Sequence, residues 1–522
     1  MARILDSQFP QIYTLTTDPD DVRRRGFRWN RVWGCFASSS MLTARNELDS
    51  VDLNRFIKKI DKWNTLTTKS RIEPDFRHRL RKYQIAGCQR LIRSRALILG
   101  DDMGLGKTIQ TAVSLSAIKK SAVVICPNHL VKNWGKELNE WTWGMEIKLF
   151  TSIGQNTKWT MRDRTIHVLP YSQAHKLDFV KCHTLVLDES HFVNTTNTRR
   201  SQAIEKIQSD RRWFLSGTPY KNHPVELWNQ FVLLGVKDFF GATKSGFELG
   251  FGLSDLIRGD DKRESGSSFN KSRIKRKHTI PTHLKPKTEL NADDIALLKW
   301  ALKPFYLRRE KTHHLKLPPK QRVFHTFCDA VRGDSNIVKQ FADIDVGEVK
   351  KIAHVSSVAE LRVKSTLKMV RSKDFDAYLM NVAREPIILF AYHNEIIDEL
   401  RQKLSHMKIP FKTIIKGDSP AQIDECVNWF QQCGRGVALV SIKKGSTGLT
   451  MTNAKRVVFV ELDWTIAELD QCESRVHRFG KSTTTFIDYV IPNGGIENLV
   501  LNKLQQKENH NKIIHEGDEK CL

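Results

Sequence analysis

The segment GDDMGLGKTIQ (Gly100–Gln110) carries residue types and spacing suited to holding a polyphosphate. Gly104 and Gly106 let backbone amides come close to phosphate oxygens, and a helix opening there adds positive potential. Lys107 can reach the β and γ oxygens, and the Thr108 hydroxyl can hold magnesium. One position departs from the general GxxxxGK[ST] pattern: Asp101 stands where the first glycine belongs. A second group, RRRGFRWNRVWGCF (Arg23–Phe36), interleaves arginines with aromatic rings, among them Arg28, Trp29 and Trp33. Arginine holds phosphate while aromatic faces stack on unpaired bases, which suits single-stranded or junction DNA. The same residues also suit the core of a small hairpin domain, and the two readings are compatible.

The phosphate-binding pattern needs a strand before it and a helix after it. Ala96–Leu99 is a short apolar run of that kind, and Ala122–Cys126, Ile166–Leu169, Thr184–Leu187 and Trp213–Leu215 repeat it. A second block holds Pro386–Phe390, Val437–Val440, Arg456–Val460 and Thr485–Val490. Buried strands alternating with amphipathic stretches predict parallel sheets covered by helices, with ligands at the strand C-termini. The expected fold is therefore α/β, with two tandem doubly wound lobes, helical insertions between them and a small N-terminal accessory domain. The boundaries are 1–68 for the accessory domain, 69–235 for the first lobe, 236–370 for insertions and linker, 371–500 for the second lobe and 501–522 for a tail. Residues from about Ala292 to Glu310 read as helical, and Leu317-Pro318-Pro319 as a linker. The run KSRIKRKH (Lys271–His278) reads first as a solvated loop, with a DNA grip left open.

Composition agrees. Lysine and arginine number 84 against 58 acidic residues, a net charge of +26, which calls for a polyanionic partner. The nine cysteines are scattered and never spaced as CxxC, so neither a disulfide framework nor a zinc site is expected. The start MARILDSQFPQIY does not have the pattern of a signal peptide, and the apolar runs fall far short of a bilayer span. The expectation is a soluble intracellular protein without a membrane partner.

DDMGLGKTIQ resembles the phosphate loop of the Swi/Snf family of superfamily 2 DNA-dependent ATPases, and further segments match in order. The resemblance implies two RecA-like lobes and ATP with Mg2+ as ligands. It implies that Asp102, Met103, Gly104, Leu105, Gly106, Lys107 and Thr108 cradle the phosphates. LRKYQIAG (Leu80–Gly87) is similar to the adenine-reading segment, with Gln84 bidentate to the base edge. TLVLDESH (Thr184–His191) is a DEAH-type box in which Asp188 supports magnesium while Glu189 orients and deprotonates the attacking water. LSGTPYKN (Leu215–Asn222) resembles the coupling motif, so His191, Ser216, Gly217 and Thr218 are expected to link nucleotide state to lobe closure. QCESRVHRFGK (Gln471–Lys481) resembles the sixth motif. Gln471, Arg475 and Arg478 fall at i, i+4 and i+7, which on a helix is one face. Two such arginines can act as fingers on the transition state; a surface cluster that only binds DNA is the alternative.

The same resemblance places DNA against Asn128, Lys132, Asn133 and Trp134 of segment Ia, the Tyr171 loop, His393, and Lys444, Ser446 and Thr447 of the fifth motif. Trp464 is read either as a groove contact or as interlobe packing. Lys444–Ser446 reads KGS in place of the family's AGG, Ser474 replaces an acidic residue, and Lys481 a glutamine. PFYLRREKTHHLKLPPKQR (Pro304–Arg322) resembles the family's arginine-rich stretch, within a spacer that favours tracking on duplex. FAYHNEIID, FVELDW and the pairing of GFRW with VW are most similar to the annealing-helicase (HARP-domain) branch. The implied activity is ATP-driven movement on duplex, forked or branched DNA, sequence-nonspecific, by a monomeric motor in replication, repair or recombination. The alternatives are a strand-separating helicase or restriction-system motor, an ATP-switched annealing scaffold and an RNA remodeller. The undecorated motor suggests a bacterial or virus-infected cell, with the nucleus left open.

Overall fold

The computed structural model describes residues 2–5, 11–14, 28–30, 35–38, 50–154, 161–177, 180–220, 223–241, 243–258, 282–287, 290–315, 317–330, 355–445, 451–477, 483–494 and 496–502. The chain forms two compact units, residues 1–65 with 223–305, and residues 66–222 with 306–522. Among the described residues no helix is long and apolar enough to cross a membrane.

The first unit begins with β1 (Ala2–Leu5), β2 (Gln11–Thr14), β3 (Arg28–Asn30) and β4 (Cys35–Ser38), an antiparallel sheet of order β1-β2-β4-β3.

The second unit opens with strands β5 (Ala96–Leu99), β6 (Ala122–Cys126), β7 (Glu146–Leu149), β8 (Thr165–Pro170), β9 (Lys181–Asp188) and β10 (Gln208–Leu215). β5, β6 and β8 are buried along their whole length, which is why β5 and β6 read as unbroken apolar runs and β8 as one broken only by Thr165 and the buried His167. The chain then returns to the first unit for β11 (Ser254–Arg258) and β12 (Thr282–Pro286), an antiparallel pair. Phe231, Phe239, Phe240, Phe247, Phe251 and Phe305 make this unit's core. Asn64, at the end of helix Ser50–Asn64, donates to the Pro304 carbonyl at 2.7 Å. Residues 223–305 thus group with the N-terminal segment, where 223–235 was expected in the first lobe and 236–305 among the insertions and linker. The helix expected to reach Glu310 stops at Leu302, and β13 (Tyr306–Leu307) pairs parallel with β5. The first sheet then has the order β13-β5-β10-β9-β6-β8-β7.

The second sheet contains β14 (Lys320–His325), β15 (Pro386–Ala391), β16 (Phe411–Ile414), β17 (Gly436–Ser441), β18 (Arg456–Phe459) and β19 (Thr485–Val490), in the order β14-β19-β18-β15-β17-β16. Both sheets are parallel throughout, as two doubly wound lobes require. The stretch from Tyr306 to His325 therefore gives one strand to each lobe. Lys271–His278 lies outside the described residues.

Candidate active site

Strand register brings the first lobe's motifs to one level. Leu215 pairs with both Leu99 and Asp188, so the segments leaving β5, β10 and β9 emerge side by side at the carboxyl edge. The loop after β5 turns through Gly104 (φ 91°) and Gly106 (φ 77°), and helix Lys107–Ile118 starts directly after it. A side chain at Gly106 would be strained by that φ and would lie 2.6 Å from the Gln84 amide nitrogen. Gln84 is buried; its oxygen accepts from the Arg81 amide at 3.0 Å and its nitrogen donates to the Leu105 carbonyl at 3.3 Å. An adenine edge would therefore share this amide with two backbone groups. The Leu105 side chain is buried, its amide donates to the Asp102 carbonyl at 3.3 Å, and its carbonyl also accepts from Gln110 at 3.1 Å.

The ammonium of Lys107 donates to the Asp101 carbonyl at 2.7 Å. Burial pushes its pKa down, opposed by the charges of Glu189, Asp101 and Asp188. Thr108 is half-buried in the first turn of that helix. Asp188 ends β9, almost fully buried. Its Oδ1 accepts from the Glu189 amide at 3.0 Å and its Oδ2 from the Trp134 indole at 2.7 Å. Burial, with the Glu189 charge beside it, pushes its pKa up to about 7. Glu189 has left-handed backbone (φ 51°), an uncommon conformation for a residue with a side chain. Burial alone would raise its pKa; the neighbouring His191, Lys107 and Arg475 hold it at about 2. The His191 Nδ1 lies 3.3 Å from the Glu189 carboxylate and 3.2 Å from the Ser216 hydroxyl, which accepts from the Thr218 amide at 3.2 Å. A half-buried ammonium, a hydroxyl and a buried carboxylate near a loop that turns through left-handed Gly104, with open space around it, fit a triphosphate with magnesium.

Two residues that motif reading assigned no catalytic role complete the loop. Arg308 donates to the Gly100 carbonyl (2.9 Å), the Gly217 carbonyl (3.0 Å) and the Asp102 carboxylate (2.8 Å). Arg309, 2% exposed, pairs with Asp101, which is 0% exposed, and donates to Gln110 at 2.7 Å. The signal was present in the sequence as Asp101, a carboxylate in a glycine's place. The Asp102 carboxylate also accepts from the Lys311 amide at 3.0 Å, and the Asp102 amide donates to the Arg309 carbonyl at 3.0 Å, so Asp102 ties the loop to the segment after β13.

In the second lobe the helix Ile466–Glu473 carries Gln471, which is buried, but ends before Arg475. Gln471 and Arg475 therefore do not lie on one continuous helix, where a shared helical face was expected. The chain tightens instead into three-residue turns, with the Arg475 amide on the Cys472 carbonyl at 3.1 Å and the Val476 amide on the Glu473 carbonyl at 3.2 Å. The Arg475 side chain donates to the Gly445 carbonyl at 3.1 Å. Burial pulls its pKa down, opposed by Cys472 and Glu189. Ser474 places its hydroxyl 3.2 Å from the sulfur of Met103. The sixth motif thus touches the phosphate loop. Arg478 lies outside the described residues.

The residues expected at DNA divide sharply. Asn128, Lys132 and Asn133 are exposed, and Lys444 is half-buried. Trp134 is 0% exposed and Tyr171 4%, so neither ring can reach a ligand outside. The helix Val131–Trp141 turns Val131, Trp134, Leu138 and Trp141 inward, and the tryptophan follows that stripe. His393 bonds Glu461 through Nδ1 at 2.6 Å, and Glu461 also accepts from the Tyr392 and His393 amides. Trp464 packs under Arg362, whose guanidinium carbon lies 4.2 Å from the ring centroid, within the second lobe. In the KGS segment, the retained Gly445 leaves room for Phe390, whose ring would crowd any side chain there. Arg28 and Trp29 lie on β3, while Trp33, Ser446 and Thr447 lie outside the described residues.

A family model described as SNF2-related domain matches residues 83–374, and one described as helicase conserved C-terminal domain matches 371–480. The chain is 26% identical over 439 residues to a SWI/SNF-related matrix-associated actin-dependent regulator of chromatin subfamily A-like protein 1 from Xenopus laevis, covering 80% of this chain and 42% of that protein. It is 25% identical over 505 residues to YwqA of Bacillus subtilis, covering 90% and 52%. It is 25% identical over 448 residues to the DNA annealing helicase and endonuclease ZRANB3 of Homo sapiens, covering 80% and 38%. The chain thus spans about half or less of the length of these relatives.

Proposed function

The chain belongs to the SNF2-related family, and from that premise we propose that it is a DNA-stimulated ATPase that moves along duplex or forked DNA. The observation that carries this reading is the meeting of the lobes at one site. Ser474 lies against Met103 of the phosphate loop, and Arg475 feels the charge of Glu189. A catalytic site divided in this way changes when the lobes move, so hydrolysis and lobe motion are one process. Lys107 would hold the β and γ phosphates, and ionised Glu189 would orient the attacking water. Arg475 would face the charge that develops on the transferring phosphoryl group. Magnesium, held by Thr108 and Asp188, would supply Lewis acidity at the same oxygens.

DNA as the polyanion is supported by the +26 charge and by the exposed Asn128, Lys132 and Asn133. Contacts of this kind go mainly to phosphates and carry little sequence information. The relative named a DNA annealing helicase supports a finer reading, in which forked DNA is the preferred track and strands are rewound. In that reading the sheet β1–β4, with Arg28 and Trp29 on β3, reads the junction.

Displacement of a triplex-forming strand tests directed movement on duplex, and displacement of a paired strand tests unwinding. ATP-dependent release of the third strand with the duplex left closed is expected. Efficient opening of a long plain duplex would replace this reading with that of a strand-separating helicase.

A further inference from the structure

Asp188 receives two hydrogen bonds from aromatic side chains, and each comes from a different segment of the first lobe. The Trp134 indole N–H donates to its Oδ2 at 2.7 Å, and the Tyr171 hydroxyl donates to its main-chain carbonyl at 2.9 Å. Both aromatic residues are buried. The opposite faces of the same segments are polar and open. Lys132, Asn133 and Lys136 are exposed on the helix that carries Trp134, and Ser172 and His175 are exposed beside Tyr171. The first segment therefore joins solvent to the Asp188 carboxylate, which would hold magnesium, and the second joins solvent to the Asp188 main chain.

The chemistry suits positioning. A buried carboxylate needs donors, and the Trp134 indole N–H supplies one without adding a positive charge that would compete with magnesium, while the Tyr171 phenol fixes the main chain that carries the carboxylate. Both rings are firmly held. Trp134 sits in the apolar cluster with Val131, Leu138 and Val186, and Tyr171 stacks on Phe192 with centroids 5.7 Å apart and planes at 10°. Packed interiors transmit small shifts, so displacement of either segment reaches Asp188 with little loss.

We propose that Trp134 and Tyr171 are positioning residues that link occupancy of the polar face outside them to the placement of Asp188, so that a polyanion bound there sets the geometry of the magnesium site. The inference rests on the DNA-stimulated reading for the identity of that polyanion. The link between the aromatic donors and Asp188 stands on the hydrogen bonds themselves.

Trp134→Phe and Tyr171→Phe keep each ring and remove each donor. Three quantities are measured on the full chain: binding of a fluorescent ADP analogue across a magnesium titration without DNA, duplex affinity by anisotropy, and ATP hydrolysis with and without duplex. The magnesium concentration for half-maximal nucleotide binding is expected to rise roughly tenfold in Trp134→Phe, the size of a lost hydrogen bond to a charged group. The ratio of stimulated to basal hydrolysis is expected to fall in both variants, while duplex affinity stays within about twofold, since neither ring is exposed. An unchanged magnesium midpoint and an unchanged stimulation ratio in folded variants would overturn the proposal. Should Trp134→Phe fail to fold, Tyr171→Phe decides by the stimulation ratio. A wild type that no nucleic acid stimulates would sink the DNA reading, and the magnesium titration would still decide the positioning role.

Discussion

The guanidinium of Arg309 and the carboxylate of Asp101 form an ion pair with both side chains out of solvent, joining the segment after β13 to the loop after β5. Arg309 Nε donates to Asp101 at 2.9 Å, and Arg309 also donates to the Tyr83 carbonyl. A buried charge left without its partner costs about 3–5 kcal/mol. Arg309→Met is therefore expected to lower unfolding free energy by roughly that amount in urea titrations. Asp101→Gly, which restores the general phosphate-loop pattern, is expected to destabilise the protein for the same reason and to weaken nucleotide binding. The double variant should lose less than the sum of the two single losses.

Glu189 is held ionised by His191, Lys107 and Arg475 against the effect of its own burial. Glu189→Gln removes the acceptor that orients water and keeps the shape of the side chain. The expected result is ATP hydrolysis reduced by about 10²–10⁴-fold with nucleotide affinity retained. Lys107→Ala should lose both, because on the proposed reading its ammonium would contact the phosphates in the bound state as well as the transition state. Paired measurement of nucleotide affinity and turnover separates the two variants.

Glu473 anchors the sixth motif to the linker strand β14, accepting from Lys320, from Arg322 at 3.0 Å and from the Tyr489 hydroxyl at 2.6 Å. Burial alone would raise its pKa, but Lys320 and Arg322 bring it down to about 2, below its ordinary 4.5. A depressed carboxylate pKa contributes stability that is fully present above the unfolded value and lost as pH falls towards the folded one. The stability of wild type relative to Glu473→Gln is therefore expected to be constant from pH 8 to about 5 and to shrink as pH falls from about 4.5 towards 2. Urea titrations at several pH values measure it. A difference that shrinks instead between pH 6 and 8 would assign the stabilisation to another group.

Lys132 and Lys444 are the described lysines assigned to phosphate contact. Each counterion release contributes about 0.9 to the slope of log affinity against log salt on duplex. Lys132→Ala and Lys444→Ala should each reduce that slope by about one and weaken all sequences alike. Fluorescence anisotropy across a salt series reads this directly, and a sequence-dependent loss would contradict phosphate contact.

Legibility in the sequence followed burial and length. The central strands of both sheets, such as Ala122–Cys126 and Pro386–Ala391, read plainly because buried parallel strands are continuous apolar runs. Glu146–Leu149 and Phe411–Ile414 did not, since short edge strands carry mixed residues. Tyr306–Leu307 is too short to leave any periodic signal and was absorbed into a helix. At the site, Lys107, Asp188 and Glu189 were readable because their neighbours in sequence are also their neighbours in space. Arg308 and Arg309 meet the loop from about two hundred residues away, which no local pattern encodes. Trp134 was assigned outward by its motif, although the apolar spacing Val131, Trp134, Leu138 and Trp141 already pointed inward. Arg475 was placed on a helical face by counting residues, and counting does not reveal where a helix stops.

Steady-state ATP hydrolysis tests the central claim most directly. It is measured with no nucleic acid, single-stranded DNA, plain duplex, forked DNA and RNA, with Lys107→Ala as the control for contaminating activity. The account predicts strong stimulation by duplex, stronger still by a fork, and none in the control. Stimulation by single strands or RNA alone, or a rate indifferent to every nucleic acid, would contradict it.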